Sequence, residues 1–429
     1  MRVRALIVAL VIAGAAGHWS ARPRAVTRPG INPVPCPQQD WQFGDPSFDA
    51  IAGAKAFSGR YDGGLYEIEI PDRWNGELVL YAHGYVPNAG QNGSNLRVGK
   101  HPIREHLIEH GFAWAASSYR CNGYVPGQGL VDTMSLVDLF TKSNGGRAPQ
   151  RTYLTGTSMG GHVTILGLHQ FPAAFAGGLA MCPAGPELFD FYAGVGAAAE
   201  VITGVPFQPG ELQQEAAKMA EILGKPPELT DKGRQLAHVE IEISGGPRPF
   251  AVEGLAAGGR FLSNISGGAL AGVDTPQNRA VSTAQITYDG ALNARVRRKS
   301  GDPAYRSARA PYDEVAPFDG QIARPLLTMH GTGDLFVPIF LERRLKAEVD
   351  AAGHDSLLAQ RIYRIAGHCG FDQAEMIASF DDLVAWVRNG TRPAGDDVEA
   401  DLRDAGRRFT DPLREGDPGS LDVAPATER

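Results

Sequence analysis

A serine, a histidine and a carboxylate in this chain have the types and settings needed for nucleophilic attack on a carbonyl carbon. Ser158 lies in Gly156-Thr-Ser-Met-Gly160, between a β-rich approach through Thr152, Tyr153 and Leu154 and a helix-compatible run at residues 163–170. The spacing predicts a strand, a tight turn and a helix, with the serine on the turn. Small residues are needed there because strand and helix must pass close to each other. The free N–H groups and positive end of the following helix favour developing negative charge. A plain Gly-rich corner between strand and helix would look the same, so the partners of Ser158 decide its meaning.

A serine hydroxyl needs a base to remove its proton during attack. His368 follows the last expected strand in Ala366-Gly-His-Cys-Gly370, a loop able to fold back across the strand ends. Among the other histidines, His354 falls at the opposite end of that strand, and His162 lies on the helix leaving the turn. His83 and His330 each precede a glycine at a strand end and suit loop-ordering hydrogen bonds. The imidazole in turn needs a carboxylate to fix its tautomer and stabilise its cation. Asp334, in His330-Gly-Thr-Gly-Asp334, follows the penultimate strand at the correct end. Asp190 would require an insertion to present it, and Asp372 suits a helix cap. The chain order is then Ser158, Asp334, His368. Two backbone N–H groups, those of Met159 and of Tyr85 in His83-Gly84-Tyr85, are placed to form an oxyanion hole.

These residues imply a scaffold that delivers them to one edge. Residues 64–70 alternate apolar and polar as a half-buried strand, and residues 77–82 form an apolar run suited to a strand covered on both faces. Further strands are expected at 112–119, 151–155, 177–181, 325–329 and 361–365. Helices are expected between them, around Ile103 to Ile108 and at 129–142, 163–170 and 340–349. A last helix should begin at a capping box formed by Asp372 and Glu375. Such alternation predicts an α/β fold, a mostly parallel sheet with helices on both faces, whose reactive groups gather beyond the carboxyl ends of the strands. Tyr85, Ser158 and Cys182 fall there.

The boundaries follow from composition: residues 1–17 a signal peptide, 18–59 a lead-in, 60–185 and 317–392 the two parts of the core, and 393–429 a polar extension. Residues 186–316, rich in Ala, Gly and Pro, break the alternation and read as a lid-like insertion, with a helix at 211–223 and a strand at 238–243. Phe189, Phe191, Tyr192 and Phe207 are its candidates for lining a substrate pocket. Arg2 and Arg4, an apolar run at 5–13 and small residues at 13–17 form the export signal, and the apolar run is too short to span a bilayer. The address is therefore secreted or periplasmic, with no stable membrane span after cleavage.

The 429 residues are 43% hydrophobic and carry a formal charge of −7, which argues against nucleic acid and for a small neutral partner. Four cysteines, Cys36, Cys121, Cys182 and Cys369, suit an exported protein with disulfide bonds, in three possible connectivities. There is no C-x-x-C, no H-E-x-x-H and no Gly-rich phosphate loop, so neither metal nor cofactor has positive support.

Gly156-Thr-Ser-Met-Gly160, His83-Gly84-Tyr85, His330-Gly-Thr-Gly-Asp334 with Val337-Pro338, and Gly367-His368-Cys369 together resemble a secreted bacterial α/β-hydrolase. The likeness is to esterase, polyester-depolymerase-like and prolyl-oligopeptidase-like members, over roughly residues 60–185 and 317–390. It implies a serine esterase acting on a small-molecule or polymeric ester without a cofactor. A peptidase with the same triad and a catalytically silent protein of the same fold are the alternatives. Cysteine directly after the histidine is also similar to tannase and feruloyl-esterase relatives, where it pairs with a cysteine before the nucleophile. Thr157 stands at that place here, so Cys369 is expected to pair with Cys182 or Cys121.

Overall fold

The computed structural model describes residues 31–88, 95–257, 264–307 and 309–410. The expected signal peptide lies outside them. Eight strands form one sheet: β1 (Ala54–Tyr61), β2 (Gly64–Pro71), β3 (Glu77–Ala82), β4 (Ala113–Ser117), β5 (Arg151–Thr157), β6 (Gly177–Met181), β7 (Leu326–Gly331) and β8 (Leu358–Tyr363). Their spatial order is β1-β2-β4-β3-β5-β6-β7-β8. β2 pairs antiparallel with both β1 and β4, while every pairing from β4 through β8 is parallel. Parallel neighbours need long crossovers, and helices supply them.

Alternation along each strand divides the core into two layers. Leu78, Leu80 and Ala82 of β3, Leu154 of β5 and Ala180 of β6 face one side. Val79, Tyr81, Tyr153, Leu179 and Met181 face the other. The first layer is covered by α2 (Pro126–Ser143) and α3 (Met159–Gln170), through Leu130, Leu136, Val163 and Leu168. The second is covered by α1 (Arg104–Glu109), through Leu107 and Ile108. A sheet buried on both faces explains why its central strands read as continuous apolar runs.

The insertion is mainly helical: α4 (Leu188–Thr203), α5 (Leu212–Leu223), α6 (Asp231–Ile243) and α7 (Ala251–Ala257), followed by shorter turns of helix. The expected strand at 238–243 is instead the second half of α6. Its Val-Glu-Ile-Glu-Ile alternation mimics a strand, but Gly233, Leu236, Ala237, Glu240 and Ile241 are buried at helical spacing. Thr230 caps the helix by accepting from the Gly233 N–H. No amphipathic stripe announced α4, because its Ala- and Gly-rich turns are buried almost all round.

After β7 come α8 (Phe340–Ala351) and, after β8, α9 (Gln373–Asn389), which packs Phe380 and Leu383 onto the second core layer. Its capping box joins Asp372 and Glu375 as the spacing suggested. The sheet begins earlier than the expected core boundary, since residues 54–59 already belong to β1. The chain after 392 also differs from a loose extension as far as residue 410. Val398, Leu402 and Ala405 pack with Ile339 and Ile362, and Asp396 bonds β8 through Gln360 O and the Ile362 N–H. The open edge of β8 is thereby covered.

Candidate active site

β5 enters a turn that only small neighbours permit. A Cβ on Gly156 would lie 2.1 Å from Gly160 O, and one on Gly160 would lie 1.9 Å from Ala82 O. Between them Ser158 adopts φ 58° and ψ −118°, a conformation that side-chain-bearing residues seldom hold. Packing fixes it there. The Ser158 N–H donates to Met181 O at 2.9 Å, and the Ser158 carbonyl accepts from Gly161, His162 and Ala184. Met159 opens α3, so its N–H has no partner within the helix.

His368 reaches this serine from the loop after β8. Ser158 Oγ is 2.8 Å from His368 Nε2, and His368 Nδ1 is 2.6 Å from Asp334 Oδ2. A carboxylate oxygen only accepts, so Nδ1 carries the ring proton and Nε2 is left to accept from the serine hydroxyl. Asp334 is fully buried, and its other oxygen accepts from the N–H groups of Phe336 at 3.0 Å and Val337 at 2.8 Å. His330 holds this turn by bonding Val337 O at 2.9 Å, the loop-ordering role its position suggested.

The insertion helps to hold the same turn. Arg248, buried, donates from Nε to Thr332 O at 2.5 Å and from Nη1 to Gly246 O at 2.7 Å. A Cβ on Gly333 would lie 2.5 Å from Phe250 O. The histidine loop has a covalent anchor, the disulfide between Cys182 at the end of β6 and Cys369. Cys36 pairs with Cys121, so both bonds are assigned and Cys369 takes Cys182 of the two partners expected for it.

The loop after β3 passes beside the serine: a Cβ on Gly84 would be 3.3 Å from Ser158 Cβ. His83 is stacked on Tyr119 with ring centres 3.9 Å apart, and the Tyr119 hydroxyl donates to His83 O at 3.0 Å. Burial depresses the His83 pKa, which keeps the ring neutral. These contacts fix the backbone that carries Tyr85 next to Ser158.

Ser158 opens into a cleft of about 390 Å³. Its walls are mostly apolar and come from residues 34, 35 and 37, the loops around Tyr85 and Tyr124, Phe336 after β7, and the insertion through Leu188, Phe189, Tyr192, Val273 and residues 275–278. Phe189 and Tyr192 thus line it as expected, whereas Phe191 and Phe207 are buried in the insertion's own core. Tyr124, Phe336 and the N-terminal residues were not foreseen. Phe336 stood two residues from Asp334, and Cys36 was the one sign that the N-terminal segment is tied down.

The competing residues have other work. Asp190 accepts from the Ser282 N–H and pairs with Arg306. His162 is 2.8 Å from the Tyr124 hydroxyl through Nδ1, and burial lowers its pKa to about 4. His354 bonds Gln321 near the surface. Among the described residues, the one cluster with metal-ligand spacing is Cys182, His368 and Cys369, whose sulfurs are bonded to each other and so cannot serve as thiolates. No helix among the described residues is long and apolar enough to cross a membrane.

Strand order, the turn after β5 and the loops at the strand ends define an α/β-hydrolase fold with a hydrogen-bonded serine, histidine and aspartate beyond the carboxyl ends of its strands. No protein-family description matches the chain, and no curated protein matches it. Among solved structures, it is similar to an esterase of Pyrococcus furiosus at 13% identity, covering 85% of this chain and 100% of that one with a TM-score of 0.39. Feruloyl esterase B from Aspergillus oryzae matches at 13% identity over 79% of this chain and 81% of its own, TM-score 0.41. A serine hydrolase from Cycloclasticus zankles matches at 15% over 79% and 99%, TM-score 0.35.

Proposed function

We propose that this protein is a serine hydrolase that cleaves carboxylic esters through Ser158, His368 and Asp334. The observation that supports this most is the unbroken chain of hydrogen bonds from Asp334 through His368 to Ser158, which itself lines an apolar cleft. In this reading Ser158 Oγ attacks the ester carbonyl while His368 Nε2 takes its proton, and Asp334 stabilises the imidazolium. The Tyr85 and Met159 N–H groups hold the oxyanion, each contributing about 3 kcal/mol of transition-state stabilisation. His368 then protonates the leaving alcohol, deprotonates a water that attacks the acyl carbon, and returns that proton to Ser158 Oγ as the acyl–Oγ bond breaks and the carboxylic acid leaves. No cofactor or metal enters this scheme.

Residues 186–316 act in this reading as the cover over the strand ends that shapes the cleft, and the two disulfides fit export to an oxidising compartment. The test is hydrolysis of short p-nitrophenyl esters by the purified protein and by Ser158→Ala. Turnover abolished by that substitution supports the proposal. No turnover by the parent protein, or turnover unchanged by Ser158→Ala, refutes it. Cleavage of peptides without cleavage of esters assigns a peptidase instead.

A further inference from the structure

Residues 34–37 precede every strand of the main sheet, yet Val34, Pro35 and Pro37 line the same cleft as Ser158. Their position is over-determined. Cys36, between two of the lining residues, is bonded to Cys121, which immediately precedes the stretch carrying Tyr124. The Val34 N–H donates to Glu314 Oε2 at 2.9 Å, while Oε1 of that buried carboxyl accepts from the Gly127 N–H at 3.1 Å. Asn32 and Asp313 exchange two further bonds, Asn32 N–H to Asp313 Oδ2 at 2.8 Å and Asp313 N–H to Asn32 O at 3.1 Å. Cys36 also packs in the small cluster that holds Tyr85, Tyr124 and Met159.

The segment is thus fastened both covalently and by hydrogen bonds from the far end of the insertion. Apolar side chains held this way form a wall that does not yield, and a wall that does not yield discriminates by size. The cleft it lines, about 390 Å³, lies near the lower end of the range for small-molecule sites.

We propose that residues 34–37 are a specificity wall, clamped by Cys36–Cys121 and Glu314, which restricts this site to esters whose bound group is compact and apolar. The proposal rests on the ester-hydrolase reading above and adds the substrate class. The wall excludes long or bulky chains by position rather than by charge.

The test is the ratio of kcat/KM for p-nitrophenyl octanoate to that for p-nitrophenyl acetate, in the full chain. Two variants loosen the wall by different means: Val34→Ala with Pro37→Ala trims its side chains and keeps the disulfide, and Cys36→Ser with Cys121→Ser removes the clamp. Because one methylene of apolar fit discriminates roughly tenfold or more, the ratio is expected to rise about tenfold in the trimmed variant. A ratio that stays within about twofold of the parent's in the trimmed variant overturns the wall, whatever the disulfide variant does. Absence of acetate hydrolysis in the parent refutes the ester reading itself, and acetate hydrolysis with an unmoved ratio refutes the wall alone.

Discussion

Asp334→Asn separates a catalytic carboxylate from a merely structural one. The N–H groups of Phe336 and Val337 point at Asp334 Oδ1 from 3.0 and 2.8 Å, so the amide oxygen of asparagine must take that place. Its NH₂ then occupies the Oδ2 position, 2.6 Å from His368 Nδ1. Nδ1 has to accept, the ring proton moves to Nε2, and Nε2–H faces Ser158 Oγ across 2.8 Å as a donor. His368 then lacks the lone pair that the proposed base needs. The corresponding exchange in a serine protease triad lowers kcat about 10⁴-fold, and a loss of that order is about 5 kcal/mol of barrier. The two backbone bonds survive, so the fold should be retained. Steady-state hydrolysis of p-nitrophenyl acetate, with the thermal midpoint measured on the same sample, reads the outcome. A folded variant that keeps more than about a tenth of the parent kcat would refute the assigned geometry.

Two further outcomes test the scaffold. Gly160→Ala places a methyl 1.9 Å from Ala82 O, which cannot move without shifting β3, so the variant should lose at least about 3 kcal/mol or fail to fold. A parent-like thermal midpoint would contradict the close passage of strand and helix. Glu314 is buried, and desolvation lifts its pKa from 4.5 to about 7. The folded state therefore holds a proton that the unfolded chain releases. Its contribution is full below about pH 4.5 and is lost as pH rises through about 7, on the order of 3 kcal/mol. Urea unfolding at pH 5 and pH 8 should show a smaller fall in stability for Glu314→Gln than for the parent. Equal falls would contradict the buried carboxyl's role.

The sheet was legible because burial on both faces writes its central strands as apolar runs, and because Gly156 and Gly160 mark the turn that must be tight. Ser158, Asp334 and His368 were found by asking which polar residues follow strands at one end. The structure brings those three together within hydrogen-bonding distance. What periodicity missed was α4, whose all-round burial leaves no polar face, and α6, whose final turns carry a strand-like alternation that only the burial of Glu240 beside Ile241 betrays. The N-terminal wall was hidden for another reason. Its residues are ordered by partners some 85 to 280 positions away, Cys121 and Glu314 among them, and no local pattern records such contacts.

The central claim is that Ser158 is the nucleophile, and covalent capture tests it most directly. The purified protein is incubated with a serine-directed phosphonate, digested and read by mass spectrometry. A single adduct on Ser158, formed far more slowly in His368→Ala and absent in Ser158→Ala, is the expected result. A folded parent protein that carries no adduct, or carries it on another residue, contradicts the account.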